Sequence, residues 1–179
     1  MYDLVIFGAT GFTGQLITSR LLTNSEIVSN ETRILLAGRN ESKLKSLLKK
    51  SDKSGNELIN VRVSTVDDPS SLDELTRQSS VLLNCVGPFS KYGEPVVESC
   101  LRNGCHYLDI TGEPSYINTL IQKYDQEAKA KKVCLVCSCG FDSIPADIGV
   151  FMLLKELQKS RSKSGDENGG NRNFVAVNG

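Results

Sequence analysis

The chain has 179 residues, enough for one ordinary domain with a real hydrophobic core and cramped for two. Lysine and arginine together number 21, as do aspartate and glutamate, so the formal net charge is zero and no basic excess points to nucleic acid or to a membrane surface. No apolar run approaches the roughly 20 residues of a spanning helix, and six cysteines in a chain this well supplied with apolar residues read as reduced thiols, not as a disulfide framework.

The first element is Leu4-Val5-Ile6-Phe7-Gly8-Ala9-Thr10-Gly11-Phe12-Thr13-Gly14, an apolar strand running into a glycine-rich turn and then a helix with Leu16, Ile17 and Leu21 on one side. This is the form of a nucleotide-phosphate cradle, spaced G-x-x-G-x-x-G. Gly8 allows the sharp turn off the strand, Gly11 lets amides approach a pyrophosphate, and Gly14 lets the helix pack close to the strand. The phosphates then lie at the positive end of the helix.

A second apolar run, 33–38, ends in Ala37-Gly38-Arg39-Asn40. An acidic residue there would accept hydrogen bonds from a ribose 2′-hydroxyl, whereas Arg39 pairs with a 2′-phosphate, so NADP(H) is expected over NAD(H). Asn40 reads as the cap of a helix that turns Leu44, Leu47 and Leu48 inward. A third run, 61–67, ends at Asp67, which reads equally as a contact for the adenine side of a dinucleotide or as the cap of the next helix. That helix is announced by Asp68-Pro69 and buries Leu72 and Leu75.

The fourth run, 81–86, leads into Asn84-Cys85-Val86-Gly87-Pro88-Phe89, whose backbone is expected to flank the second ribose and the nicotinamide. Cys85 is expected to be buried and no nucleophile. The following helix has Pro95 near its start and Gly104 as its stop, with Val96, Val97, Cys100 and Leu101 between. After the fifth run, 105–110, a helix begins at Glu113-Pro114 and places Ile117, Leu120, Ile121, Tyr124 and Ala128 on one stripe. In the sixth run, 133–138, Cys134-x-x-Cys137-x-Cys139 is expected in packed core and not as a metal site. His106, the only histidine, reads as structural. A sixth helix follows Asp142-Ser143 and ends near Lys159; the polar stretch Ser160 to Asn173 reads as a disordered tail. Phe174 to Val177 reads as the start of a further strand or as a floppy terminus.

Strand and helix thus alternate, and right-handed crossovers give an α/β fold with a doubly wound, mostly parallel sheet covered by helices on both faces, the NAD(P)-binding Rossmann fold. The domain is expected over 1–159, with 160–179 a polar tail or the start of a truncated second domain. Tyr92 and Asp142, on loops at the carboxyl edge of the sheet, are the candidates for proton donor or substrate contact, and Asp142 reads also as a helix cap. No tyrosine is followed four positions later by lysine, which excludes the Tyr-x-x-x-Lys proton donor of short-chain reductases.

Taken together, Phe7 to Gly14, Ala37-Gly38-Arg39, Asn84 to Phe89 with Tyr92-Gly93-Glu94-Pro95, Asp109-Ile110-Thr111-Gly112-Glu113-Pro114 and Gly140 to Gly149 resemble the saccharopine dehydrogenase-like oxidoreductases over residues 1 to about 157. The wider family includes saccharopine reductases and trans-acting enoyl reductases. The resemblance implies NADP(H)-dependent hydride transfer to a small-molecule or lipid-like substrate, a link to lipid metabolism with peripheral association at lipid droplets, and a homodimer in the full-length form. It also implies a second, sheet-containing domain after the sixth helix, which is absent or truncated here. The alternative function is a catalytically silent NADP-binding or regulatory module. An atypical reductase of a sugar or isoprenoid is a third reading, disfavoured by the missing Tyr-x-x-x-Lys pair. Met1 and Tyr2 abut the first strand with no room for a presequence, so a cytoplasmic location is expected.

Overall fold

The computed structural model describes residues 1–24, 31–52 and 55–164, the last four by backbone alone. Six βα units follow one another: β1 Tyr2–Phe7 and α1 Phe12–Thr23, β2 Ile34–Gly38 and α2 Glu41–Ser51, β3 Ile59–Val63 and α3 Pro69–Arg77, β4 Ser79–Asn84 and α4 Phe89–Asn103, β5 His106–Asp109 and α5 Pro114–Lys131, β6 Leu135–Val136 and α6 Ile144–Ser164. The strands form one parallel sheet in the order β3-β2-β1-β4-β5-β6. Strand order therefore reverses between β1 and β4, and a crevice opens outside their carboxyl ends.

The apolar runs become strands because the central ones are covered on both faces. Val5 pairs in register with Leu35 on one side and Leu82 on the other. Alternate residues then feed two cores. Val5, Phe7, Leu35 and Leu82 pack with Leu72 and Leu75 of α3, Val96 and Val97 of α4, and Leu120 of α5. Ile6, Ile34 and Leu36 face the other way, onto Leu44 and Leu47 of α2, with Ile17 and Leu21 of α1 at the edge. The chain divides into two compact units, Met1–Cys139 and Gly140–Gly179. In the second, the Ser143 and Ile144 amides bond the Gly140 carbonyl at 3.2 and 3.0 Å and make the turn that opens α6.

Several element details differ from the sequence reading. β3 ends at Val63, not at residue 67: the Ser64 amide makes the last link to Gly38, and the chain then turns, with the Asp68 amide on the Thr65 carbonyl at 3.2 Å. α4 starts at Phe89, so Pro95 lies inside it, where it removes only an amide that would meet the carbonyl of exposed Lys91. On α1 the buried face is Gly14 and Thr18, and Leu16 is exposed, because the helix lies too close to the strand for large side chains. On α5 the stripe runs through Tyr116, Leu120, Tyr124 and Ala128, while Ile121 is exposed; Gly93 of α4, lacking a side chain, leaves the space Tyr116 fills. β6 has only two residues, so Cys134 lies before it and is exposed, not in packed core as expected, with Cys137 at the core edge. α6 continues past Lys159 to Ser164, into the segment read as a tail; the rest of that segment and Phe174 to Val177 lie outside the described residues.

Candidate functional site

The glycine turn is tied down from both sides. Gly8 adopts φ +84°, and its amide and that of Ala9 both donate to the Ala37 carbonyl, at 2.9 and 3.1 Å. The Gly11 amide donates to Gly8 at 2.9 Å, and Gln15 donates from its backbone to Gly11 and from its side chain to the Thr10 carbonyl. A Cβ on Gly8 would lie 2.8 Å from Cγ2 of Val86, so the turn and the β4–α4 loop are in contact. Gly11 stands at the N-cap of α1 with no side-chain acceptor. The amides of Phe12, Thr13 and Gly14 in the first turn therefore have no intrahelical partner, the arrangement that receives phosphate.

A cavity of about 640 Å³ opens over these carboxyl ends. Gly8, Thr10 and Gly11 form one wall; Gly38, Arg39 and Asn40 follow from β2; Asp67 comes from the loop after β3; Cys85, Val86 and Gly87 come from the loop after β4, with Tyr92 from α4. The structure thus brings most of the expected residues to one space. Ala9 and Asn84 stand behind it, fully buried, and Phe12 is 83% exposed outside it. Thr13, Gly14 and Pro88 are likewise not on its wall. Asp142 belongs to the second unit, exposed in the turn before α6, and its side chain has no hydrogen-bond partner among the described residues; it caps nothing there.

The polar groups on the wall divide into those already engaged and those open. Asn40 caps α2, its Oδ1 accepting from the Lys43 amide at 2.9 Å and the Ser42 hydroxyl at 2.8 Å. The cap of α3 is Asp68, which accepts from the Ser70 and Ser71 amides, so Asp67 does not take that role. The Asp67 side chain reaches only the Thr65 hydroxyl, at 3.4 Å. The side chains of Arg39 and Lys43 make no ion pair or hydrogen bond among the described residues. Sequence reasoning missed Lys43, although it stands one turn beyond Arg39. It also missed Ser64, Thr65 and Val66, because the end of β3 was placed too late.

Behind the cavity a buried polar network joins the ends of β4 and β5. The Tyr107 hydroxyl donates to Asp109 at 2.9 Å and accepts from Asn84 at 3.2 Å, with the Tyr116 hydroxyl 3.2 Å away. Asn84 in turn accepts from the Val86 amide at 2.9 Å, and Asp109 accepts from the Thr111 and Ser138 amides. Burial, then the Asp109 charge, raises the Tyr107 hydroxyl well above the usual phenol range. Burial likewise pushes the Cys85 thiol up to about 12, so it stays protonated and is no nucleophile.

One residue of this region was not foreseen. Glu113, just before α5, accepts from the Phe89 amide at 2.7 Å and the Ser90 amide at 3.0 Å, so it caps α4 from another loop. Hydrogen bonds from the Ser90 hydroxyl and these amides hold its carboxyl below the usual range. His106 is structural: its Nδ1 accepts from the Cys134 amide at 3.0 Å. No group of three His, Cys, Asp or Glu converges among the described residues, and no described helix is long and apolar enough to cross a membrane.

The family described as the saccharopine dehydrogenase NADP-binding domain matches residues 4–136. Among curated proteins, a lipid droplet localized protein of Caenorhabditis elegans is 42% identical over 159 residues, covering 87% of this chain and 37% of its own length. A saccharopine dehydrogenase-like oxidoreductase of Mus musculus is 41% identical over 164 residues, covering 87% and 38%. The chain thus spans a little over a third of the length of these relatives. Among solved structures, apo saccharopine dehydrogenase (L-Glu forming) of Saccharomyces cerevisiae superposes with a TM-score of 0.70 at 17% identity, over 89% of this chain and 32% of that one, which shows a common fold. The sheet order, the glycine turn and the match over most of its length agree: the chain belongs to the saccharopine dehydrogenase NADP-binding domain family.

Proposed function

We propose that the chain is the cofactor-holding part of an oxidoreductase that transfers hydride between NADP(H) and a small or lipid-like acceptor. One observation carries this reading: the glycine turn, Arg39, which has no side-chain partner among the described residues, and the β4–α4 loop all line a single cavity at the point where strand order reverses. Bound there, the nicotinamide supplies the hydride chemistry. The residues of the chain bind and orient. Gly8, Thr10 and Gly11 form the wall beside the pyrophosphate, which the amides of Phe12, Thr13 and Gly14 receive, and the buried Ala9 supports the turn through its bond to Ala37. Gly38, Arg39 and Asn40 take the 2′-phosphate end, and Asp67 the adenine side. Cys85, Val86 and Gly87 flank the second ribose and the nicotinamide, with buried Asn84 holding the loop through the Val86 amide and Pro88 following it off the wall.

Tyr92 is the cavity's candidate proton donor. The C. elegans relative's name supports a location at lipid droplets. Imaging of the tagged protein against lipid-droplet and mitochondrial markers tests the location. For the function, NADPH binding is measured by titration, and its oxidation is followed with enoyl, imine and carbonyl acceptors. Binding with acceptor-dependent oxidation supports the proposal. Binding without turnover on any acceptor favours a silent NADP-binding module.

A further inference from the structure

Lys43 is a second cation on the cavity wall, and its placement runs against local electrostatics. It is the third residue of α2, where the positive end of the helix dipole disfavours an ammonium. The nearby acid does not offset it, because Glu41 pairs with Lys45 at 2.6 Å. Neither Lys43 nor Arg39, four residues earlier, has a side-chain partner among the described residues, and both line the same cavity. Unpaired like charges on one cavity repel each other, and an anion between them reverses the sign of that interaction. The groups beside them suit an anion as well. The Thr10 hydroxyl lies 3.6 Å from the Cβ position of Gly38, and Asn40, its Oδ1 taken by the cap, has its amide nitrogen left to donate. The wall's carboxylate, Asp67, comes from a different loop and is engaged with Thr65.

We propose that Lys43 and Arg39 together grip a phosphate monoester, the adenosine 2′-phosphate, and that Lys43 is a specificity-determining residue for NADP(H) over NAD(H). The inference rests on the reading that Arg39 faces that phosphate. Arg39 supplies a planar, bidentate fork and Lys43 a solvated point charge, so the contribution of Lys43 is the smaller of the two.

The test is calorimetric titration of the full chain with NADPH, NADH and 2′,5′-ADP, for the unaltered protein, Lys43→Ala, Arg39→Ala and the double variant. Lys43→Ala is expected to weaken NADPH and 2′,5′-ADP about 3–10-fold, with NADH changed less than about twofold. Its melting temperature does not fall, since a cation has left the positive end of a helix. In the double variant NADPH binds no tighter than NADH. Equal weakening of NADPH and NADH by Lys43→Ala, or no weakening of NADPH, overturns the proposal. If Arg39→Ala weakens both dinucleotides alike, the underlying cofactor reading fails instead.

Discussion

The Cα of Gly14 faces the carbonyl oxygen of Gly8 so closely that a methyl group on residue 14 would overlap that oxygen, and would stand 2.8 Å from the Cα of Ala9. All three of these atoms are backbone, and the turn that carries them is bonded to the Ala37 carbonyl, so no flexible side chain can give way. Gly14→Ala therefore pushes α1 off β1. The expected cost is roughly 1–3 kcal/mol of stability by urea unfolding, together with weaker NADPH binding, because the first-turn amides move with the helix. Unchanged stability would show that α1 is not held at this distance.

The buried network behind the cavity makes a second prediction. Tyr107→Phe leaves one oxygen of fully buried Asp109 and the amide of Asn84 short of a partner, and is expected to cost roughly 1–3 kcal/mol in urea unfolding. Tyr116→Phe should cost less, since Tyr107 would keep both Asp109 and Asn84. The reverse order would mean that Tyr116, not Tyr107, is the centre of the network.

Glu113 predicts a pH dependence. Its carboxyl is held below the ordinary value of 4.5 by the Ser90 hydroxyl and the Phe89 and Ser90 amides. A depressed folded value means that the stabilisation is fully present above about 4.5 and is lost as pH falls through the lower folded value. Glu113→Gln removes the charge but keeps the size. The melting temperature of this variant is expected to lie a few degrees below that of the unaltered chain at pH 7, and the gap should narrow as pH falls below about 4.5 and through the lower folded value. A gap that does not vary with pH would contradict the capping role.

Much of the fold was legible because periodicity and punctuation agreed. Apolar runs bounded by Gly8, Asn40, Asp68 and Gly104 marked the units, and each of these residues stands at the turn or cap expected of it. What was not legible depended on contacts between distant segments. Glu113 caps a helix 24 residues earlier in the chain, which no local pattern shows. Because of that cap α4 starts at Phe89 rather than near Pro95. Tyr116 displaced Ile117 and Ile121 from the buried stripe because Gly93 on another helix left it room. In the site, Gly8, Arg39 and Val86 were readable as strand-end residues. Lys43 carried no local signal, and its cavity position follows from where α2 begins.

The cofactor assignment is tested most directly by calorimetric titration of the unaltered chain and Arg39→Ala with NADPH and NADH at one salt concentration. The unaltered chain should bind NADPH more tightly than NADH. Arg39→Ala should weaken NADPH by about 10–100-fold, or roughly 1.5–3 kcal/mol, and leave NADH almost unchanged. Equal loss for both dinucleotides, or no preference in the unaltered chain, would contradict it.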